Sequence, residues 1–320
     1  MSQPTSLDTL PVATEESPRG LPPIEVLAFS RQAMSNLSQF DQVLFERFGQ
    51  GPLVPLRYVC IHHAFEAHAA ANPQAIAARH LDESITYQDL DRQANRLAAL
   101  LAQQGVSTGD TVALFLQRSI PMVVGILASL KAGAAYVPQH VGVAPESQLR
   151  HIIDVASTRV ILTLSRYRHL VPVPDGHVCI AIDEVMQEPF AGDSEHVVAF
   201  RPETAIGRDN TCYIIFTSGT TGPPNGVQVT HGNVCNILLT EPGNLGMRPG
   251  VKVAQMLSIA FDMAAWEILG CLGNGATLVI RGKDFLKVAQ SVDVLISTPT
   301  ILSSLDAEHC RNVRVVAVAG

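Results

Sequence analysis

The sequence predicts an α/β fold of layered, mostly parallel sheets flanked by helices, and three observations carry that expectation. Short, continuously apolar runs recur along the chain, as strands buried on both faces do. Stretches with a single apolar stripe at helical spacing fill the gaps between them. With 320 residues, 47% of them hydrophobic, there is enough chain for a large core.

Residues 1–22, rich in Pro, Ser and Thr, read as a disordered tail. Residues 23–59 read as a helical lead-in: Leu27, Met34, Leu37, Phe40, Val43, Leu44 and Phe48 recur at near-helical intervals before the Gly-Gln-Gly-Pro stop at 49–52. From Cys60 onward strands and helices alternate. Ala75–Arg79 reads as a strand and Asp82-Glu83-Ser84 as a turn. Thr86 then caps a helix whose Leu90, Ala94, Leu97 and Leu101 share one face, with Gly105 at its end. Thr111–Phe115 is a strand, Pro121 opens a helix to Lys131, Ala134–Val137 is a strand, and Pro145 begins a helix through Val155. Further strands are expected at Arg159–Thr163, Val178–Ile182, Cys212–Phe216, Lys252–Gln255, Ala276–Ile280, Asp293–Ile296 and Val313–Val318.

Composition excludes several classes. Charged residues make up 16%, and 22 basic against 29 acidic residues give a net charge of −7, so no broad basic surface invites nucleic acid. The most apolar stretch, Pro121 to Leu130, is about half the ~20 residues that a membrane crossing needs. The first residues lack the basic start and apolar run of a secretory signal. Six cysteines without a Cys-x-x-Cys pair read as reduced, individually buried thiols of a cytoplasmic protein. His62, His63 and His68, with Glu66, read as surface histidines on a helix, and no metal site is expected there.

The most informative stretch runs from Tyr213 to Val227. An apolar strand empties into Thr217, Ser218, Gly219, Thr220, Thr221 and Gly222. Glycines let the backbone turn its N–H groups inward and four hydroxyls add donors, which suits a cluster of phosphate oxygens. The Gly-x4-Gly-Lys-Ser/Thr string of P-loop NTPases is absent, as is the Gly-x-Ser-x-Gly elbow of serine hydrolases around Ser218.

Four ordered motifs then resemble one family. Phe216–Val227 (FTSGTTGPPNGV) resembles the signature of the adenylate-forming superfamily, close to TSGTTGxPKGV. Ile85–Leu90 followed by Ala94–Ala98 is similar to its TYxEL…ANRLA element, and Leu130–Pro138 to its LKAGAAYVP element. Phe261–Glu267 (FDMAAWE) resembles the FDxSxxE element of amino-acid-activating domains in nonribosomal peptide synthetases. The resemblance covers residues 60–320 and implies the large N-terminal subdomain of an adenylation domain.

What the resemblance implies is an ATP- and Mg²⁺-dependent ligase that forms an aminoacyl-adenylate. The acyl group would pass to a phosphopantetheine thiol on a carrier-protein domain, in cis or in trans. Thr217 to Gly222 would hold the ATP phosphates. Asp262 would pair with the substrate ammonium, in competition with a plain role as helix N-cap. Phe261 would stand at the substrate–nucleotide boundary, and Met263, Trp266, Ala317 and Ala319 would line the side-chain pocket. Asn225 stands where the family has a lysine, and Gln139-His140-Val141 where it has Leu-Asp-Pro. The family's catalytic lysine belongs beyond Gly320, so no catalytic residue is assigned here; the chain reads as truncated and inactive alone. An acyl- or aryl-CoA ligase and a non-catalytic nucleotide-binding fragment are the alternatives.

Overall fold

The computed structural model describes residues 36–48, 54–188, 199–217 and 223–319. The tail over 1–22 and Ser218 to Gly222 of the phosphate loop lie outside the described residues. The chain divides into two units, residues 1–55 and 56–320.

In the first unit, helix α1 (Gln39–Phe48) occupies the end of the expected lead-in. The Ser38 hydroxyl accepts the Asp41 N–H at 3.1 Å and so closes the first turn. Phe40, Val43 and Phe45 on this helix are exposed.

The second unit is built on two six-stranded sheets. The first contains β1 (Ile76–His80), β2 (Glu83–Thr86), β9 (Lys252–Gln255), β10 (Thr277–Ile280), β11 (Val294–Ser297) and β12 (Val315–Val318), in the order β12-β11-β9-β10-β1-β2. The second contains β3 (Thr111–Leu116), β4 (Ala135–His140), β5 (Val160–Thr163), β6 (Val178–Ala181), β7 (Thr211–Thr217) and β8 (Asn225–Thr230), in the order β6-β5-β3-β4-β7-β8. Every pairing is parallel except those of the edge strands β2 and β8.

Those edge strands carry little apolar signal, and the sequence reading passes over both. In β2 only Ile85 is buried. The residues read as a turn, Asp82-Glu83-Ser84, mostly belong to that strand; the chain reverses instead at Leu81 and Asp82, with Leu81 in the left-handed region at φ 55°. β8 is solvent-facing along most of its length.

Between the sheets lies the helix Ile120–Lys131 (IPMVVGILASLK), which packs on β3 and β4 of one sheet and β1 of the other. A helix apolar all round belongs in an interior, and nearly every residue of this one is buried. Ser119 caps it by accepting the Met122 N–H at 3.2 Å, with Pro121 in the first turn. At its far end Gly133 adopts φ +82°, and a Cβ there would stand 2.9 Å from the Thr108 Cα, so only glycine fits. The neighbouring helix Tyr87–Gln103 starts at Thr86, whose hydroxyl accepts the Asp89 N–H at 3.0 Å. Its stripe of Leu90, Ala94, Leu97 and Leu101 is fully buried.

One charge sits in this core. Lys131 is 1% exposed, and its ammonium meets the Glu66 carboxylate and Asp91 Oδ1, the latter at 2.8 Å. Arg201 binds the same Glu66 through two bonds of 3.0 Å. Burial pushes the Glu66 carboxyl up, but the Lys131 and Arg201 charges outweigh it and hold the group below its usual range.

All six cysteines are free, but not all are buried: Cys179 and Cys310 are half-buried. The histidine expectation also needs correcting. His62 faces inward at 2% exposure, against His231. Residues more than 160 positions apart in sequence meet there, which local periodicity cannot show.

Candidate functional site

β7 runs between β4 and the edge strand β8 and delivers Thr217, solvent-exposed, at its carboxyl end. Ligands of open α/β sheets gather at such ends. Across the ladder Thr217 pairs with Asn225, so the residue standing in place of the family's lysine faces solvent beside the start of the glycine-rich segment.

Next to this strand lies a cavity of about 230 Å³. Tyr213 of β7 and Val229 of β8 form one wall. Asn233, Val234, Ile237 and Leu238 of the helix His231–Leu238 form a second, and Asp262, Met263, Ala265 and Trp266 a third. The second wall begins in a capping box: the Thr230 hydroxyl accepts the Asn233 N–H at 3.2 Å while the Asn233 carboxamide accepts the Thr230 N–H at 3.2 Å. The sequence reading expects a helix in this gap but gives it no bounds. Its signal is present, Thr-x-x-Asn at 230–233 followed by Val234, Ile237 and Leu238 at helical spacing.

The third wall begins after β9 with a short helix, Asp262–Ala265, that runs on through a π turn over Trp266–Gly270. π turns often mark functional sites, because the extra residue redirects side chains. The Trp266 indole donates to the Gly243 carbonyl at 2.6 Å, which fixes the ring against the pocket. Met263 and Trp266 are half-buried there.

Asp262 is at the pocket mouth and exposed, rather than sunk in an apolar interior. It is not the N-cap. Phe261 takes that position without a side-chain bond, and the Asp262 carboxylate accepts the Met263 N–H at 2.8 Å. Burial pushes the Tyr213 phenol above its ordinary range, and the charges of Cys212 and Asp262 add to the push. Phe261 is 63% exposed and not among the pocket's lining residues. Ala317 packs half-buried against the main core from β12 and Ala319 is exposed just after it, so neither reaches this pocket.

Behind the third wall Glu267 is fully buried. Its Oε1 accepts the Met256 N–H at 2.7 Å and the Leu257 N–H at 3.2 Å, and its Oε2 accepts the Gln255 amide at 3.0 Å. These bonds tie the loop leaving β9 to the helix that carries Asp262 and Met263. Burial drives the carboxyl up to about 8, against the pull of the N–H donors and of Arg118. A raised carboxyl contributes stability that is complete below its unfolded value and is lost as pH rises toward 8. Glu267→Ala is expected to lower stability by about 1–3 kcal/mol, since two buried N–H groups lose their acceptor. In urea titrations the variant should also lose that pH dependence between mildly acid and mildly alkaline solution; an unchanged profile would remove Glu267 from this role.

Comparison with known proteins places this arrangement in a family. The model of the AMP-binding enzymes matches residues 65–319. The chain belongs to the AMP-binding enzyme family. Among members of that family, it is 46% identical over 290 residues to adenylate-forming reductase 06235 of Coprinopsis cinerea, covering 90% of this chain and 28% of the reductase. It is 31% identical over 271 residues to gramicidin S synthase 1 of Brevibacillus brevis, covering 81% of this chain and 24% of the synthase. The chain thus spans under a third of these relatives. Among solved structures, the nonribosomal peptide synthetase FmoA3 in its AMPPNP-bound form superposes with a TM-score of 0.77 at 24% identity, over 88% of this chain and 31% of that one. The N-terminal subdomain of Klebsiella oxytoca NpsA, in complex with 3-hydroxybenzoyl-AMSN, gives a TM-score of 0.70 at 23% identity, over 85% of this chain and 68% of that one. These likenesses bear out the α/β fold of an adenylation domain's large subdomain.

Proposed function

We propose that the protein to which these residues belong activates an amino acid as its aminoacyl-adenylate, for transfer to a phosphopantetheine thiol on a carrier domain in cis or in trans. The observation that carries this reading is the pocket beside β7: a carboxylate, Asp262, at the mouth of walls made by Tyr213, Met263 and Trp266. A single anion at the edge of an apolar cavity suits a ligand with one cationic end and an apolar body.

ATP, when bound, would supply the adenylyl group to the carboxylate, its β- and γ-phosphates leaving as pyrophosphate, with Mg²⁺ offsetting the phosphate charge. The Thr217 hydroxyl, exposed where β7 ends, fits a phosphate oxygen, and Ser218, Gly219, Thr220, Thr221 and Gly222 are proposed to complete the cradle. Phe261, exposed next to Asp262, is proposed to stand at the substrate–nucleotide boundary. Ala317 and Ala319 keep a proposed role in the substrate pocket only if β12 shifts toward it. Six free thiols support a reducing, cytoplasmic setting. Among the described residues no helix is long and apolar enough to cross a membrane.

The 46% identity with an adenylate-forming reductase favours a second reading for the later step, in which the activated acyl group is reduced rather than condensed. Both readings share adenylation. ATP–pyrophosphate exchange by the full-length protein against amino, fatty and aryl acids tests it: exchange with amino acids supports the proposal, and exchange confined to fatty or aryl acids replaces it with the CoA-ligase alternative. Whether the product is a carrier thioester or an aldehyde separates the two fates.

A further inference from the structure

Three side chains from distant parts of the chain converge behind the pocket's second wall. Cys60 precedes the helix Ile61–Ala71, His62 lies in its first turn, and His231 opens the helix His231–Leu238. One ligand-capable atom from each lies within 4.8 Å of the other two. All three residues are buried, at 0%, 2% and 1% exposure. The two imidazoles stand edge to face with ring centroids 5.5 Å apart.

Their hydrogen bonding is incomplete. Nδ1 of His62 and Nδ1 of His231 are buried without a partner. The Cys60 thiol has only long contacts, at 3.7 Å to the Ile206 carbonyl and 3.9 Å to that of Gly207. Interior polar atoms are rarely left so, because each unmet one is costly. Two imidazoles, each with one unpartnered nitrogen, and a thiol bring a ligand atom apiece into one small volume, which points to a missing occupant.

We propose that Cys60, His62 and His231 bind a zinc ion. Two imidazole nitrogens and one sulfur, with no carboxylate among the three, form a donor set that suits Zn²⁺ rather than Mg²⁺ or Ca²⁺. With Zn–N near 2.0–2.1 Å and Zn–S near 2.3 Å, tetrahedral nitrogen and sulfur ligands lie about 3.3–3.6 Å apart, so a cluster held within 4.8 Å has at most about 1.5 Å to close. Zinc binding displaces the Cys60 thiol proton to solvent and forms a Zn–S bond. The ion pins the first turn of one helix to the helix whose Asn233, Val234, Ile237 and Leu238 line the pocket. Its role is structural, joining those two helices.

The test uses the full-length protein, purified untagged and without chelators, with zinc measured by mass spectrometry and its shell by X-ray absorption. The expected result is about one zinc per chain, with a sulfur near 2.3 Å and imidazole nitrogens near 2.0–2.1 Å. Exchange into Co²⁺ is expected to give a near-ultraviolet thiolate charge-transfer band. Cys60→Ser should abolish that band and weaken Zn²⁺ binding by more than about 100-fold, beyond the loss an outer-shell partner causes. Cys212→Ser and Cys310→Ser should retain both. A folded wild-type protein that carries no zinc and gives no thiolate band with Co²⁺ overturns the proposal, as does a sulfur-free shell or a band that survives in Cys60→Ser. The wild-type absorption measurement decides the matter even if the serine variant does not fold.

Discussion

Asp262→Asn in the full-length protein is expected to lower kcat/KM for amino-acid activation by roughly 10- to 150-fold. That corresponds to the about 1.5–3 kcal/mol carried by a hydrogen bond to a charged group. The carboxylate is exposed at the pocket mouth, so its full worth appears only once substrate covers it. The fold should be indifferent: an asparagine carboxamide still accepts the Met263 N–H that Asp262 now accepts at 2.8 Å. A melting temperature within a degree or two of wild type, with activity reduced, is the expected pair of readings. Unchanged activation of amino acids would reduce Asp262 to a backbone acceptor and bring back the acyl-CoA ligase alternative.

Lys131→Met is expected to have the largest effect on stability. It leaves the Asp91 carboxylate without its cation and the Glu66 carboxylate with Arg201 alone, and breaking one side of a buried ion pair costs about 3–5 kcal/mol. The sign of the pH dependence follows from Glu66. Its folded carboxyl is held below the ordinary range, so the stabilisation is present above the unfolded value and disappears as pH falls through the folded one. Urea midpoints of wild type and variant should therefore lie far apart near neutrality and converge in acid. A constant gap across that range would show that methionine disturbs packing rather than charge. Asp91→Asn in the Lys131→Met background should recover part of the loss, because it removes the carboxylate that has lost its cation.

The interior of the fold was legible wherever burial writes a continuous pattern. Thr111–Leu116 is apolar after its first residue, and Lys252–Gln255 falls where the sequence reading puts it. The Thr86 cap was equally readable, because it sits three residues before the N–H it accepts, whereas the Ser119 cap was not read. The edge strands were not: β8 is exposed along most of its length and owes its strand to pairing with β7, a long-range fact. At the site, Asp262, Met263 and Trp266 stand in one motif, and the structure gathers all three around one cavity. Tyr213 and the helix after Thr230 complete that cavity, yet their sequence signal is that of ordinary core. Cys60, His62 and His231 show the limit most clearly, since two of the three are close in sequence and the third arrives only through the sheet.

The central claim, that this pocket takes a carboxylic acid bearing an ammonium group, is tested most directly with matched substrates. ATP–pyrophosphate exchange by the full-length protein would be measured for each activated amino acid beside its des-amino counterpart with the same side chain. Losing the ammonium removes the partner of Asp262, so the account predicts a kcat/KM at least about tenfold lower for the des-amino acid. It also predicts that Asp262→Asn narrows that difference. Equal exchange rates for the two acids in the wild-type protein would contradict the account.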